Sequence, residues 1–385
     1  MRRSLLLIGL GDLGGVILEL LARDATFDRI IVASRNERRG VARCNLARLG
    51  ALAQGLEPSI TFVPLDLNNK EGVAEIVSRV APDIIVSCAT LQTWWLPDLL
   101  PPQQKSIINK AGFGVWLPVH LTLTLKLMEA LREAAYSGLT LTAPFPDVVN
   151  CILDRLGLAP TCGLGNLAEI VPKVRLLAAE RLAAPLDSVQ VLLVAHHALE
   201  PAAFGEPMAE IPPYYVRVEH NEEDVTERVK AHELLLAPYP LPSGPPTHFL
   251  TAGSAIRLTR ALVSAQDTLL HVPAPNGLPG GYPVIANKAG LQPAPLEDLS
   301  LAEAIDINER SHRFDGIERI EADGTVVFRP TAAQILRDEL GYSCDRLQPA
   351  ESEARATELM VRFEEYARRY GVQLRNGGPG PSSPQ

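Results

Sequence analysis

Two adjacent histidines, His196 and His197, have the residue type and position that best suit acid–base chemistry. They follow the apolar run 189–195, which has the composition of a buried strand. Because neighbouring residues of a strand face opposite sides, one imidazole can point into a cleft while the other packs beside it. An imidazole titrates at about pH 6.5 and can donate a proton to a substrate nitrogen or oxygen. We interpret the pair as candidate catalytic residues, the alternative being two structural histidines at a sheet end.

A second chemical feature is the turn Gly9-Leu-Gly-Asp-Leu-Gly14, between the apolar run 5–8 and a stretch of helical apolar spacing. This strand–turn–helix order is typical of a dinucleotide-binding site. Gly9 permits the turn, Gly11 lets a pyrophosphate approach the backbone, and Gly14 lets the helix pack against the strand. Free N–H groups and the dipole of the helix start favour a phosphate there. The predicted cofactor-binding residues of this turn are Gly9, Gly11, Asp12, Leu13 and Gly14.

The end of the second predicted strand, 29–33, indicates which dinucleotide binds. NAD-binding folds place an acidic residue about 20 positions past the glycines, to hold the ribose hydroxyls. This sequence has Ser34 and Arg35 there, a hydroxyl and a planar guanidinium that suit the 2′-phosphate of NADP. Arg38 or Arg39 can add charge. The sequence therefore predicts NADP(H) as the cofactor, and the alternative is a solvated basic turn at a helix start.

Further strand ends add residues to the predicted crevice. Asp66 follows the strand 60–64, and it either faces the adenine or caps the next helix. Ala89 and Thr90 follow the strand 83–88, at the edge where cofactors bind in open α/β sheets. Four strand–helix units in the first third of the chain predict the α/β class, with a doubly wound parallel sheet that the strand 139–142 completes.

The proportion of predicted strands and helices changes near residue 146. Strands then outnumber helices, and their spacing predicts a mixed, largely antiparallel sheet in an α+β second domain. Asp147 and Asn166 are each interpreted as the N-cap of a following helix. The predicted divisions are a Rossmann domain at 1–146, a substrate and dimerisation domain at 147–345, a C-terminal helix that packs back at 346–375, and a disordered tail at 376–385.

Composition excludes several classes of protein. The formal net charge of −9 argues against a general nucleic-acid or anionic-membrane binder. Five scattered cysteines without a Cys-x-x-Cys pair indicate a reducing compartment and no metal framework. No uninterrupted apolar run reaches transmembrane length. We expect a cytoplasmic homodimer, with the face of the antiparallel sheet as its contact, and no metal.

Four stretches together resemble the NADP-binding domain of saccharopine dehydrogenase-like proteins. They are the glycine turn 9–14, Ala33–Asn36, Leu65–Leu67 and Ile85–Thr90. The resemblance implies a mixed-sheet domain after this one, and hydride transfer that reduces imines or oxidises amines in the cleft between them.

The histidine pair is similar to a strand-end pair in dihydrodipicolinate reductases, another imine-reducing family of this architecture. In that family a lysine and a Pro-Ser-Gly-Thr turn follow the histidines. Here Glu200 takes the place of the lysine, and the loop 201–207 lacks that turn. The substrate of that family is therefore not implied.

The sequence thus predicts an NADPH-dependent oxidoreductase that transfers hydride to or from a C=N or C–N bond of an amino-acid-like or imine substrate. His196 or His197 would supply the proton or bind a substrate carboxylate, and Lys288 is a weaker candidate for carboxylate binding. If both histidines are structural, His120, Lys126 or water is the proton source. The alternative is a non-catalytic NADP(H)-binding sensor on the same fold, which the absence of a recognised catalytic dyad favours.

Overall fold

The structure, a computed structural model, describes residues 3–242 and 244–374. The predicted disordered tail 376–385 lies outside these residues. The strands are β1 (Ser4–Ile8), β2 (Arg29–Ser34), β3 (Ile60–Pro64), β4 (Ile84–Ser87), β5 (Leu139–Thr142), β6 (Cys162–Gly163), β7 (Val189–Ala195), β8 (Tyr214–His220), β9 (Glu223–Asp224), β10 (Thr268–Pro273), β11 (Gly281–Asn287), β12 (Gly290–Pro293), β13 (Ile317–Ile320), β14 (Val326–Phe328) and β15 (Arg346–Leu347). The α-helices are α1 (Asp12–Leu21), α2 (Glu37–Leu52), α3 (Lys70–Val80), α4 (Pro102–Asn109), α5 (Leu117–Glu133), α6 (Pro146–Arg155), α7 (Leu167–Leu182), α8 (Glu200–Ala203), α9 (Ala231–Leu236), α10 (His248–Leu262), α11 (Leu301–Ser311), α12 (Pro330–Leu340) and α13 (Ser352–Arg369).

The first sheet is parallel and has six strands in the order β3-β2-β1-β4-β5-β6. Its middle strand β1 is buried along its whole length, as expected for a parallel sheet with helices on both faces. Strand order reverses direction between β1 and β4, which places a ligand crevice at the carboxyl ends of these strands. The predicted α/β class and Rossmann architecture are confirmed.

This sheet continues past residue 146, where the sequence predicts the end of the first domain. Strand β6 pairs with β5 through Leu141–Cys162 and Thr142–Gly163. The expectation that 139–142 completes the sheet is therefore wrong, because a two-residue strand is too short to give a period-2 pattern. The division of the chain into domains stays a prediction.

The second sheet is antiparallel and runs in the order β10-β11-β7-β8-β9, with β12 paired to β11. Its central strand β7 is buried on both sides: Leu193 packs in one apolar cluster with α7, and Val194 packs in another with α10. Helices of the same chain thus cover both faces at β7, the centre of the sheet predicted to meet a twofold partner. The homodimer stays a prediction. The centre of this sheet is not available as its contact, because helices of the same chain cover it.

The third sheet, β13-β14-β15, packs against the Rossmann domain instead of the second sheet. The predicted hairpin at Asp323-Gly324 joins β13 and β14, and Asp323 Oδ1 accepts the N–H of Thr325 at 2.9 Å. Helix α13 packs back along α5, where the rings of Trp116 and Phe363 lie 4.8 Å apart in an edge-to-face arrangement. The chain after residue 316 therefore returns to the first domain.

Within the described ranges, no single helix has both the length and the apolar character that a membrane crossing requires. One pair, Pro102–Asn109 and Phe113–Glu133, meets that test only when both are counted together, across a bend of 91°.

Candidate active site

The glycine turn between β1 and α1 has the geometry of a pyrophosphate site. Gly9 has a φ of +94°, and a Cβ atom there would lie 2.9 Å from the backbone nitrogen of Ala89. A Cβ atom at Gly14 would overlap the carbonyl oxygen of Gly9, so α1 packs directly on the turn. At Gly11, the N-cap of α1, a Cβ atom would meet no atom within 4 Å. Gly11 therefore borders the open space that a pyrophosphate needs, and the binding itself stays a prediction.

The two other residues predicted in this turn, Asp12 and Leu13, begin helix α1. The carboxylate of Asp12 accepts the indole N–H of Trp95 at 3.2 Å, which fixes the loop after β4 beside the turn. Trp94 meets the ring of His248 edge to face, with centroids 6.2 Å apart. Leu13 is half-buried. Aromatic side chains thus border the predicted cofactor site.

Ser34 ends strand β2 and is half-buried, and Arg35, which follows it, is exposed. Asn36 caps α2 by accepting the N–H of Arg39 at 2.9 Å, which holds the turn in place. In the part of the chain that the structure describes, Arg35, Arg38 and Arg39 form no ion pair. Three guanidinium groups beside the end of β2 are therefore available to an anion.

Asp66 is exposed after β3, and its Oδ1 accepts the backbone N–H of Asn68 at 3.0 Å. Asn69, not Asp66, is the N-cap of α3. The capping alternative for Asp66 is therefore wrong, and its contact with an adenine stays a prediction.

Ala89 and Thr90 follow β4, and Ala89 adjoins the glycine turn. Thr90 Oγ1 lies 3.0 Å from the carbonyl oxygen of Val119 and 3.1 Å from Nδ1 of His120. These contacts connect the predicted cofactor edge to helix α5. Ala89 and Thr90 thus lie at the strand-end edge beside the glycine turn, and their contact with a cofactor stays a prediction.

The two histidines at the end of β7 occupy different environments. The ring of His197 is 16% exposed, and its Nε2 donates to Oδ2 of Asp315 at 2.7 Å. Its backbone N–H donates to Oδ2 of Asp147 at 2.9 Å. His196 is fully buried, and its Nδ1 accepts the N–H of Ala198 at 3.3 Å. His197 is therefore the histidine that can reach a substrate.

A chain of ring contacts joins His197 to the cofactor edge. Phe113 lies 5.6 Å from His197 and stacks on His120 at 5.3 Å, and His120 in turn contacts Thr90. Phe145, which follows β5, lies 5.1 Å from the His197 ring. The imidazole thus stands beside the carboxyl ends of β4 and β5.

The charge of the cluster is concentrated on His197. Burial alone would lower its pKa, but the carboxylates of Asp315, Asp147 and Glu200 raise it to about 9. Burial lowers the pKa of His196 well below its usual range, with the charge of His197 adding to the effect. Burial also lowers the pKa of His120 to about 3 and that of His312 to about 4. At neutral pH, His197 is the one cation among the clustered histidines.

Burial makes the carboxyl groups around His197 harder to ionise. Burial raises the pKa of Asp147 to about 6 and that of Glu200 to about 7. Burial and the nearby Glu200 also raise the pKa of Glu169 well above its usual range. Glu169 Oε1 accepts the hydroxyl of Thr251 at 2.5 Å. A group of titratable side chains with divergent pKa values is characteristic of an active site.

Sequence reasoning missed the acidic partners of His197. Asp147 is the second residue of α6, and its carboxylate binds the amide of Asn166 at 2.9 Å in addition to His197. The interpretation of Asp147 as an N-cap is wrong, since Phe145 holds that position. Asn166 does occupy the N-cap position of α7, as predicted, but its side chain makes no capping hydrogen bond. Asp315 precedes Gly316 and has the local pattern of a turn. The only sequence feature that could have indicated a functional role for Asp315 is His312, three residues before it.

Asp315 is fixed by close backbone packing. Gly112 has a φ of +82°, and a Cβ atom at Gly112 or Gly114 would overlap the backbone of Asp315. These glycines, in the short segment before α5, let the two backbones touch. Asp315 is therefore held in position by main-chain contact with the Rossmann domain.

The other candidate proton donors and cations lie in different places. His120 adjoins the site, whereas Lys126 forms an ion pair with Glu353 at 2.7 Å. Lys288 lies in a surface depression with Arg3 and Arg260. Neither lysine contacts His197 within residues 3–242 and 244–374.

The cluster also meets a simple geometric test for a metal. Ligand-type atoms of Asp147, His196 and His197 lie within 4.8 Å of one another. A histidine ligand must be neutral, whereas the raised pKa of His197 keeps a proton on both ring nitrogens at neutral pH. A metal ion at these atoms would therefore have to displace a proton from His197, whereas proton transfer uses the charged ring as it stands.

Residues 5–92 match the saccharopine dehydrogenase NADP binding domain. The resemblance predicted from the sequence is confirmed over these residues. No curated protein matches the chain.

Several solved structures share the fold. Lactate dehydrogenase from Eimeria maxima with NADH and oxamate is 13% identical, with a TM-score of 0.53 over 81% of this chain and 93% of that one. Minor L-lactate dehydrogenase from Enterococcus mundtii in its ligands-bound form is 14% identical, with a TM-score of 0.55 over 81% and 96%. Malate dehydrogenase from Plasmodium falciparum is 14% identical, with a TM-score of 0.53 over 81% and 95%. At such identities the likeness shows the fold alone. The family match over residues 5–92 supports a nicotinamide dinucleotide as the cofactor of the first domain.

Proposed function

We propose that this chain, whose residues 5–92 match a saccharopine dehydrogenase NADP binding domain, is an NADPH-dependent oxidoreductase acting on a C=N or C–N bond of an amino-acid-like or imine substrate. The observation that carries the proposal is the hydrogen-bonded pair of His197 and Asp315 at the carboxyl ends of the parallel strands. Such a pair supplies the proton chemistry that the recognised motifs of the sequence lack.

The residues around the glycine turn fit NADPH. Open space adjoins Gly11, and Arg35, Arg38 and Arg39 present guanidinium groups without an ion pair inside the described ranges. A guanidinium suits the 2′-phosphate that distinguishes NADP from NAD. When bound, the cofactor supplies the hydride and leaves the protein to align the substrate and move one proton.

His197 would act as the acid in imine reduction. Its Nε2–H donates to Asp315, which fixes the ring, while Nδ1 forms no hydrogen bond with another described residue. The Nδ1 proton would pass to the imine nitrogen and give an iminium, whose carbon then accepts the hydride. The product is an amine, and His197 is left neutral until solvent returns its proton. A positioned acid of this kind contributes about 10²–10⁴ in rate.

The charge of His197 favours the reductive direction near neutral pH. A pKa of about 9 means that the ring carries its proton there and is ready to donate it. Amine oxidation needs a neutral imidazole to accept the proton. We therefore expect oxidation to become efficient only as the pH approaches 9.

The test is to follow the nicotinamide absorbance of NADPH with the full-length protein and a panel of imines formed from amines and carbonyl compounds. We expect oxidation of NADPH with at least one imine, and a loss of about a hundredfold in turnover for His197→Ala with NADPH affinity retained. Tight NADPH binding with no turnover of imines or oxo acids, and none of amines with NADP⁺, would instead favour the non-catalytic sensor.

A further inference from the structure

Helix α2 buries small side chains and leaves its large apolar ones in water. The residues that it packs inward recur every three or four positions, and they are Gly40, Cys44, Ala47 and Ala51. A Cβ atom at Gly40 would overlap the ring of Phe62, so the helix lies close against β3. The inner side of α2 is therefore filled without any of its leucines.

The outer side of α2 is apolar over about four turns, and we call it the leucine face. Leu49 is 65% exposed and Leu46 is 58% exposed. The remaining members, also exposed, are Val41, Leu52 and Leu56, the last of which follows the helix. The outer side of a surface helix is normally polar, and contiguous apolar patches of about a few hundred Å² mark sites of contact. The leucine face thus requires a cover.

The remainder of this sequence does not supply that cover. Residues 375–385 follow the described chain and bring no aliphatic or aromatic side chain other than proline. Helix α13, which precedes them, packs in the apolar cluster that contains Leu6 of β1. Helix α2 packs in the cluster that contains Leu7, on the other face of the parallel sheet. We therefore assign the cover to a second molecule.

The arginines of α2 argue against a lipid surface as the cover. A helix at a membrane surface turns basic side chains toward the headgroups beside its apolar side. Here Arg48 donates to the carbonyl oxygen of Ile60 and to Oδ1 of Asn45. The guanidinium of Arg43 lies over Gly15 of α1. Both arginines beside the centre of the leucine face are thus engaged within their own chain.

We propose that the leucine face joins two copies of this chain, with the two α2 helices antiparallel and a twofold axis at Leu49. Leu49 is the centre of the face along the helix, since the apolar members extend from Val41 to Leu56, and it is the most exposed of them. It is also central around the helix, because Leu46 and Leu52 lie three residues before and after it, on opposite sides. A twofold contact brings the same patch of both partners together. Leu49 then meets the partner's Leu49, and Leu46 meets the partner's Leu52.

Charges at the two ends of the leucine face match in this arrangement. Arg38 and Arg39 are exposed in the first turn of α2, and Glu57 is exposed beyond its last turn. When two such helices run antiparallel, the arginines of each lie beside the partner's Glu57, and the helix dipoles also attract. A parallel arrangement would place like charges together. The face is therefore complementary to a second copy of itself.

The size of the leucine face fits the apolar centre of a dimer contact. A standard interface buries about 800 Å² per partner, and about two thirds of a homodimer interface is apolar. Exposed aliphatic side chains of the face contribute on the order of 400 Å² to that centre, and polar residues around them supply the rim. The face alone thus accounts for most of the apolar area that a stable dimer needs.

The experiment is sedimentation equilibrium of the full-length protein at micromolar concentration. We expect the wild type to have the mass of two chains. Leu49→Glu sets two carboxylates against each other at the centre of the contact, so the dissociation constant should rise about a hundredfold or more. The matched control Leu301→Glu changes an exposed leucine that begins α11, and it should stay dimeric.

A cysteine at the same position tests the twofold axis directly. With Leu49→Cys the two thiols lie together, so a mild oxidant should link the copies into a disulfide-bonded dimer on a non-reducing gel. The native cysteines are buried or half-buried, so the wild type treated in the same way should stay a single chain. Leu301→Cys should also stay a single chain.

A wild type that stays monomeric would overturn the proposal. So would a dimer that Leu49→Glu leaves intact, or a Leu49→Cys protein that forms no link. Binding of the wild-type monomer to vesicles of anionic phospholipid would assign the leucine face to a membrane instead. If Leu49→Glu folds poorly, as its melting temperature would show, the cysteine variant decides. Hydride transfer in the imine panel is a separate readout, so failure of the proposed function leaves these outcomes unchanged.

Discussion

Nε2 of His197 lies 2.7 Å from Oδ2 of Asp315, although 118 residues separate the two along the chain. The contact keeps the imidazole charged inside a buried cluster in which His120, His196 and His312 are held neutral. It therefore determines which histidine can donate a proton.

We expect Asp315→Asn to move the pH dependence of imine reduction. Turnover needs protonated His197, so it should fall in the wild type as the pH rises through about 9. Without this carboxylate, burial acts against Asp147 and Glu200 alone, so the fall should come at a lower pH than in the wild type. The measurement is kcat against pH for both proteins. Superimposable profiles would contradict the assignment.

The same shift predicts how stability depends on pH. The folded-state pKa of His197 is raised, so the stability it contributes is fully present below about pH 6.5 and is lost as the pH rises through about 9. Denaturant unfolding across this window should show a smaller decline in Asp315→Asn than in the wild type. An equal decline in both proteins would place its source elsewhere.

Single alanine substitutions should separate the two strand-end histidines. His197→Ala should lower turnover by about a hundredfold while NADPH affinity holds, because it removes the acid. His196→Ala should mainly lower the melting temperature, since that ring is fully buried. Turnover and melting temperature are measured on both variants. Full turnover in both would make the histidines structural and direct attention to His120 or water.

Substitutions at two glycines of the first turn should impair the protein in different ways, one in NADPH binding and the other in stability. Gly11→Val adds a side chain that projects into open space, so the fold should survive while NADPH binding is lost. Gly14→Ala places a Cβ atom against the Gly9 carbonyl, so its melting temperature should fall by about 5 °C or more. Fluorescence titration with NADPH and thermal unfolding distinguish the two. Retained NADPH affinity in Gly11→Val would exclude the predicted pyrophosphate position.

Arg35→Ala should remove the preference for NADPH over NADH. A charge-assisted hydrogen bond contributes about 1.5–3 kcal/mol, so NADPH affinity should fall about tenfold or more, and NADH affinity should change little. Arg228→Ala removes an exposed arginine elsewhere and serves as the charge control. Equal affinities for NADPH and NADH in the wild type would end the NADP assignment.

The parts of the site that local sequence encodes were predictable. The glycine turn and the strand 189–195 depend on neighbouring residues, and the structure has both where the sequence predicts them. The same holds for the hairpin at Asp323-Gly324, whose turn chemistry is local.

The acidic half of the site could not be found in this way. Asp147 follows Pro146 and Asp315 precedes Gly316, so each has the pattern of a local cap or turn. What assigns them to His197 is tertiary contact between segments far apart in the chain. The short strand β6 and the return of the third sheet to the Rossmann domain depend equally on long-range packing.

The backbone contact between Gly112 and Asp315 has a consequence for biosynthesis. A chain emerging from the ribosome exposes the glycine turn and its first strands long before residue 315 has been made. Since domains generally fold as units from the N-terminal side, we expect a nascent protein able to hold its dinucleotide while His197 still lacks its counter-ion. Reactivity would then appear late, only when roughly the final fifth of the polypeptide packs its backbone against Gly112 and Gly114.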